Sequence, residues 1–188
     1  MYCISTFLEP MNHEFDEHPQ IIVPRDGYKV DGEGIKKQCK LNTLKSVDYY
    51  EVHEKRGFLY VEFSDLIKQN AQINEKAQRI SESNLPPKDK AAIRKSYFKE
   101  IHQELVAKYK DSVTIRNLIP EYIDNIPEAF QDKGEYIIVI APIDSSLEKS
   151  KLVEIAKFVE TLKDKVAQGI PKDLFTNVKV VNLEKFCI

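Results

Sequence analysis

Apolar positions along this chain change their period several times, and each change marks an element. From residue 47 to 63 they alternate: Val47-Asp-Tyr-Tyr-Glu-Val52 and Phe58-Leu-Tyr-Val-Glu-Phe63 flank the polar stretch His53-Glu-Lys-Arg-Gly57. Alternation in β-branched and aromatic residues on both sides of a short polar interruption predicts an antiparallel hairpin over about 47–64. Beyond it Leu66, Ile73, Ala77 and Ile80 fall on one helical face, with Ser64 or Asp65 in position to cap the helix start. Asn84-Leu-Pro-Pro87 breaks that helix, and Ile93, Tyr97, Ile101 and Leu105 predict a longer one from about Asp89 to Tyr109. Asp111-Ser112 is read as the end of this helix or the cap of a short successor.

The proline-punctuated stretch 120–133 yields no assignment, but Glu135-Tyr-Ile-Ile-Val-Ile-Ala141 is the continuous apolar run of a strand covered on both faces. A helix from about Ser146 to Ala167, stopped at Gly169-Ile-Pro171, and a last strand over 177–183 complete a βαβ crossover, which makes its two strands parallel. The expected fold is therefore α/β in the broad sense (α+β): a central mixed sheet with the antiparallel hairpin at one side, the C-terminal βαβ unit at the other, and flanking helices.

A length of 188 residues is that of one domain with a sizeable core. Residues 1–34 carry seven acidic side chains against Arg25 and Lys29 and contain Pro10, Pro19 and Pro24. They read as an irregular acidic arm, with a short strand at 20–23, attached to an α/β core over 35–188. The net charge of −2 argues against nucleic-acid binding driven by the overall field and leaves only local contact. Cys3, Cys39 and Cys187 are odd in number, widely spaced and lack a CxxC pair, so they read as reduced thiols. With neither a leader pattern nor an apolar run of membrane-spanning length, the expectation is a cytoplasmic protein away from membranes.

Candidate chemistry enters through the hairpin. With His53 to Gly57 as the loop, facing residues have numbers that sum to 110, which sets Tyr50 against Tyr60 and Asp48 against Glu62. Directly opposed carboxylates destabilise a sheet, by up to about 1 kcal/mol when solvated and by more when shielded. A divalent cation, or a lysine or arginine reaching in from a helix, would offset the repulsion. The competing reading is two solvated acids on an open sheet face near Lys45, Lys55 and Arg56.

The string Ser46-Val-Asp48, a turn, and Leu59-Tyr-Val-Glu62-Phe-Ser64 leading into a helix resembles the core of the PD-(D/E)XK restriction-endonuclease-like superfamily. The likeness covers about 20 residues well and about a hundred more by element order alone. It implies that Asp48 and Glu62 are catalytic acids that bind Mg2+ and that a lysine two residues beyond the glutamate assists the attacking water. Ser64 occupies that lysine's position and brings no positive charge. Since some members place the lysine in the following helix, Lys68, one turn beyond Ser64, is the substitute the resemblance points to.

Other motifs are weaker. His13 and His18 are five residues apart, one too many for the zincin pairing, and His53 reads as a turn histidine. The long helix holds seven basic residues over 88–110 against Asp89, Glu100 and Glu104, and its Lys95 and Lys99 are the candidate nucleic-acid contacts, although a solvated helix face is the commoner origin of such a stripe. Two function classes remain. One is a non-catalytic, degenerate nuclease-like subunit that binds or regulates a protein partner, as in bacterial defence (antiviral) or toxin-immunity systems. The other is a Mg2+-dependent nuclease using Asp48, Glu62 and Lys68. Ser64 and the overall acidity favour the first.

Overall fold

The computed structural model describes residues 2–174 and 176–188. Its centre is a six-stranded mixed sheet in the order β2 (Leu8–Pro10), β3 (Asp26–Lys29), β4 (Tyr49–His53), β5 (Gly57–Phe63), β7 (Glu135–Ile140) and β8 (Val178–Asn182). A separate parallel pair joins β1 (Tyr2–Cys3) to β6 (Ile123–Asp124). The helices are α1 (Ile35–Gln38), α2 (Leu66–Glu82), α3 (Pro87–Leu118), α4 (Lys149–Gly169) and α5 (Leu183–Phe186). The expected mixed α/β class and the parallel β7–β8 pairing are both present. No helix is long and apolar enough to cross a membrane among the described residues.

The hairpin forms as its alternation requires. Tyr50 pairs with Tyr60 and Val52 with Phe58, and Gly57 closes the turn at φ +71, a conformation that disfavours side chains. The paired rungs end at Tyr49 with Val61, and the Asp48 amide then donates to the Val61 carbonyl at 3.1 Å, a bond one residue out of the predicted register, so regular pairing stops one step short of the acids. β5 does not sit at the margin of the sheet. It pairs in parallel with β7 on its other side, Glu62 opposite Ile138, while β3 and β2 extend the sheet past β4. Two parallel crossovers that step in one direction place their helices on one face when both are right-handed. Accordingly Leu105, Tyr109, Leu162 and Val166 from α3 and α4 all pack on the face of Tyr50, Tyr60 and Tyr136.

The acidic arm is more ordered than its composition suggests. β2 and β3 both lie within it, and Met11, Phe15 and Val23 cover the second sheet face over Tyr49, Leu59 and Val61, together with Leu183 and Phe186 from the chain's end. The strand expected over 20–23 is absent: between Pro19 and Pro24, Val23 is buried by side-chain packing while Ile22 is exposed at 78%. Pro10 and Gly27 conceal the real strands: the edge strand β2 tolerates Pro10, and in the interior strand β3 a Cβ at Gly27 would meet Met11 at 2.8 Å and Tyr49 at 3.1 Å.

The long helix also differs from expectation. Asp111 and Ser112 do not end α3, which continues to Leu118. Their side chains turn instead to the approach of β4, where the Asp111 carboxylate accepts from the Lys45 amide at 2.9 Å and the Ser112 hydroxyl accepts from the Val47 amide at 2.8 Å. The Tyr50 hydroxyl returns a bond to the Ser112 carbonyl at 2.6 Å. These bonds pin α3 against the first residues of β4 and so fix what lies one turn earlier on the helix, which is Lys108.

Candidate active site

Asp48 stands where three strands meet. Its carbonyl accepts from the Val30 amide at 2.9 Å, its amide donates to Val61, and its Oδ2 accepts from the Phe63 amide at 2.7 Å, leaving Oδ1 for a further partner. Glu62 lies within the paired part of β5 and is 2% exposed, because β7 flanks its backbone and α3 crosses over its side chain. Lys108 descends from α3 to donate to Glu62 Oε1 at 2.6 Å. Glu62 Oε2 is buried and has no hydrogen-bond partner among the described residues.

Glu62 is buried, Asp48 and Lys108 are half-buried, and the three charges perturb one another. Burial pushes the Asp48 carboxyl up to about 6, against the pull of Lys108 and the Phe63 amide. Burial, and then the neighbouring Asp48, hold Glu62 well above the usual carboxylate range. Burial opposes the charge on Lys108, but Glu62 and Asp48 outweigh it and keep the ammonium above its ordinary value. The cluster thus keeps a stable cation and retains a proton on its acids at a pH where ordinary carboxyls have lost theirs. The reading of two solvated acids on an open face is not what the fold presents.

Two cavities meet this cluster. One of about 150 Å3 is bordered by Glu62, Ser64, Asp65, Gln69, Glu104 and Lys108. The other, of about 500 Å3, opens beside Asp48 and is rimmed by Glu9, Glu14, Asp31 and Glu33, with Lys29 the one cation among the described lining residues. A hard divalent cation such as Mg2+ would find the orphaned buried oxygen of Glu62 and room for water on the smaller cavity, while Asp48 lines the larger one. Among the described residues no three His, Cys, Asp or Glu side chains converge on one point, so water would complete the shell.

Of the residues singled out from sequence, Asp48 and Glu62 come together and Lys68 does not join them. The Lys68 ammonium lies 3.6 Å from Asp16 Oδ2 on the outer side of α2, with its side chain 54% exposed. The reason is the cap: Asp65 accepts from the Lys68 amide at 3.0 Å, which fixes the first turn so that this side chain points toward the arm. Lys108 supplies the charge instead. Sequence gave no local sign of it, because the pairing links residues 46 apart and Lys108 reads as one more base on a charged helix. Lys95 and Lys99, earlier on α3, border a different cavity.

The histidines have structural roles. His13 Nε2 bonds the Ile21 carbonyl at 2.6 Å while Nδ1 accepts from the Phe15 amide at 3.2 Å, which sets its tautomer and uses both nitrogens. His53 Nδ1 accepts from the Lys55 amide in the hairpin turn. No family model matches the chain, and neither a curated protein nor a solved structure matches it.

Proposed function

We propose that the Asp48–Glu62–Lys108 cluster is a Mg2+-dependent phosphodiester-hydrolysing site of the PD-(D/E)XK type, with its lysine moved from β5 to α3. The observation that carries this reading is the Lys108 ammonium on Glu62 at 2.6 Å, beside Asp48 and an unpartnered Glu62 oxygen. Asp48 and Glu62 would hold the cation, and Lys108 would bring the positive charge that Ser64 cannot to the point where charge develops on the phosphoryl group. The Ser64 hydroxyl, on the wall of the smaller cavity, is placed to orient a water. A bound Mg2+ supplies charge neutralisation and polarises a phosphoryl oxygen. The free cysteines, Cys39 fully buried, support a reducing, cytoplasmic setting.

One observation favours a second reading, in which the site is a degenerate one retained in a binding or regulatory subunit. Glu62 is enclosed, and four carboxylates rim the larger cavity, a field that repels a phosphodiester polyanion. Incubation of the full chain with labelled DNA and RNA, single- and double-stranded, in Mg2+ or Mn2+ separates the two. Cleavage by wild type that falls by about 100-fold or more in Lys108→Met and in Glu62→Gln supports hydrolysis. The absence of cleavage on every substrate, or cleavage unchanged in both variants, overturns it.

A further inference from the structure

The helical layer carries a groove that the acid pair does not use. It lies between α2, α3 and α4, has a volume of about 600 Å3, and has Phe98, Phe158 and Leu162 among its lining residues. Phe98 is 39% exposed, so the apolar surface it offers is open to solvent. Lys95 and Lys99 stand on the α3 wall, Lys157 and Lys165 on the α4 wall. None of the four forms an ion pair among the described residues. Glu154, the one acid in the lining, accepts from Asn74 Nδ2 at 3.2 Å.

An apolar floor between two cationic walls selects an anionic amphiphile: burying the floor gains about 25 cal/mol per Å2, and the ammonium groups discriminate by charge. We propose that the groove docks an acidic amphipathic helix of a protein partner. Its apolar residues, at i, i+3 or i+4, and i+7, would sit on Phe98, Phe158 and Leu162, and its Asp or Glu flanks against the two lysine walls. The dimensions agree, since Lys157 and Lys165 lie on α4 about 12 Å apart along the axis, a little over two helical turns. A single-stranded nucleic acid also seeks lysines and aromatic rings, but it needs a ring face free for each stacked base. Phe98 and Phe158 are inclined at 57° with centroids 6.0 Å apart, so they present no common flat face for successive bases to stack on. This surface is independent of hydrolysis at Asp48 and Glu62.

The test selects a phage-displayed library of random peptides, each long enough for four helical turns, on the full chain, with counter-selection on the Lys99→Glu/Lys157→Glu double variant. The expected result is enrichment of sequences with an apolar i, i+4, i+7 repeat flanked by Asp and Glu. A synthetic representative should lose about tenfold or more in affinity on Phe98→Ala, a substitution at an exposed position that leaves the circular dichroism unchanged. No enrichment over the counter-selection, or enrichment of basic or non-periodic sequences, overturns the proposal. So does a labelled oligothymidylate that displaces the selected peptide and loses its own binding in the double variant, since the groove would then serve nucleic acid.

Discussion

The hairpin buries two glutamates on adjacent strands, alike in enclosure and in their single cation but set in opposite surroundings. Glu51 on β4 and Glu62 on β5 are each 2% exposed, each takes one cation, and each leaves its Oε2 without a partner. Glu51 faces the arm side of the sheet, where Arg25 Nε donates to it at 2.7 Å, Arg25 Nη1 donates to the Phe186 carbonyl, and the guanidinium carbon lies 4.3 Å from the centre of the Phe186 ring. That arrangement ties the arm to the chain's end through one guanidinium. Glu62 faces the helices, meets a second carboxylate as well as a cation, and borders a cavity. A buried acid with a single, fully engaged cation is a clamp. A buried acid set against another acid stores repulsion that a bound cation would relieve.

The comparison breaks most visibly at Glu51. Its replacement by alanine leaves Arg25 unpaired in a largely enclosed position and should cost about 2–4 kcal/mol, read as a lower urea midpoint, whereas Glu62→Gln should leave the midpoint unchanged or raise it. Equal losses at both sites would mean that Glu62 is a clamp too.

A pH series sharpens the contrast. Since Asp48 titrates near 6 in the fold and near 3.8 in the unfolded chain, the native state holds a proton that the unfolded state has released between those values. The stabilising contribution of this group is full below the lower value, is lost as pH rises through about 6, and is flat beyond. Wild type should therefore lose about 1–3 kcal/mol relative to Asp48→Asn between pH 4 and pH 7, since Asn keeps an acceptor for the Phe63 amide. Parallel pH profiles of the two proteins would contradict the shift. The smallest effect is expected at Lys68, whose exposed pairing with Asp16 should be worth no more than about 0.5 kcal/mol, so Lys68→Ala should unfold like wild type and retain any activity.

The hairpin and its register were legible because both rest on short-range signals: a period of two, and a loop short enough to fix pairing by counting. The same counting set Asp48 against Glu62, although the paired rungs stop at Tyr49 and Val61, one step short of the two acids. Lys108 was hidden because its relation to Glu62 depends on the crossing of α3 over the sheet, and that crossing is set by Asp111 and Ser112, which look like helix-ending residues when read locally. The arm was misread for a related reason. Its strands carry Pro10 and Gly27, and its apolar residues Met11, Phe15 and Val23 follow no period, since they cover a sheet face from loops rather than from an element. Where tertiary contact decides a residue's role, local pattern is silent.

The central claim is that Asp48 and Glu62 form one proton-holding, cation-accepting pair neutralised in part by Lys108. Calorimetric titration of Mn2+ into the full chain at pH 7, repeated in buffers of different ionisation enthalpy, tests it directly. The account predicts saturable binding with net proton release, lost in Glu62→Gln, because the cation must displace the proton the pair retains. Binding that persists in Glu62→Gln, or no binding to wild type, would contradict it.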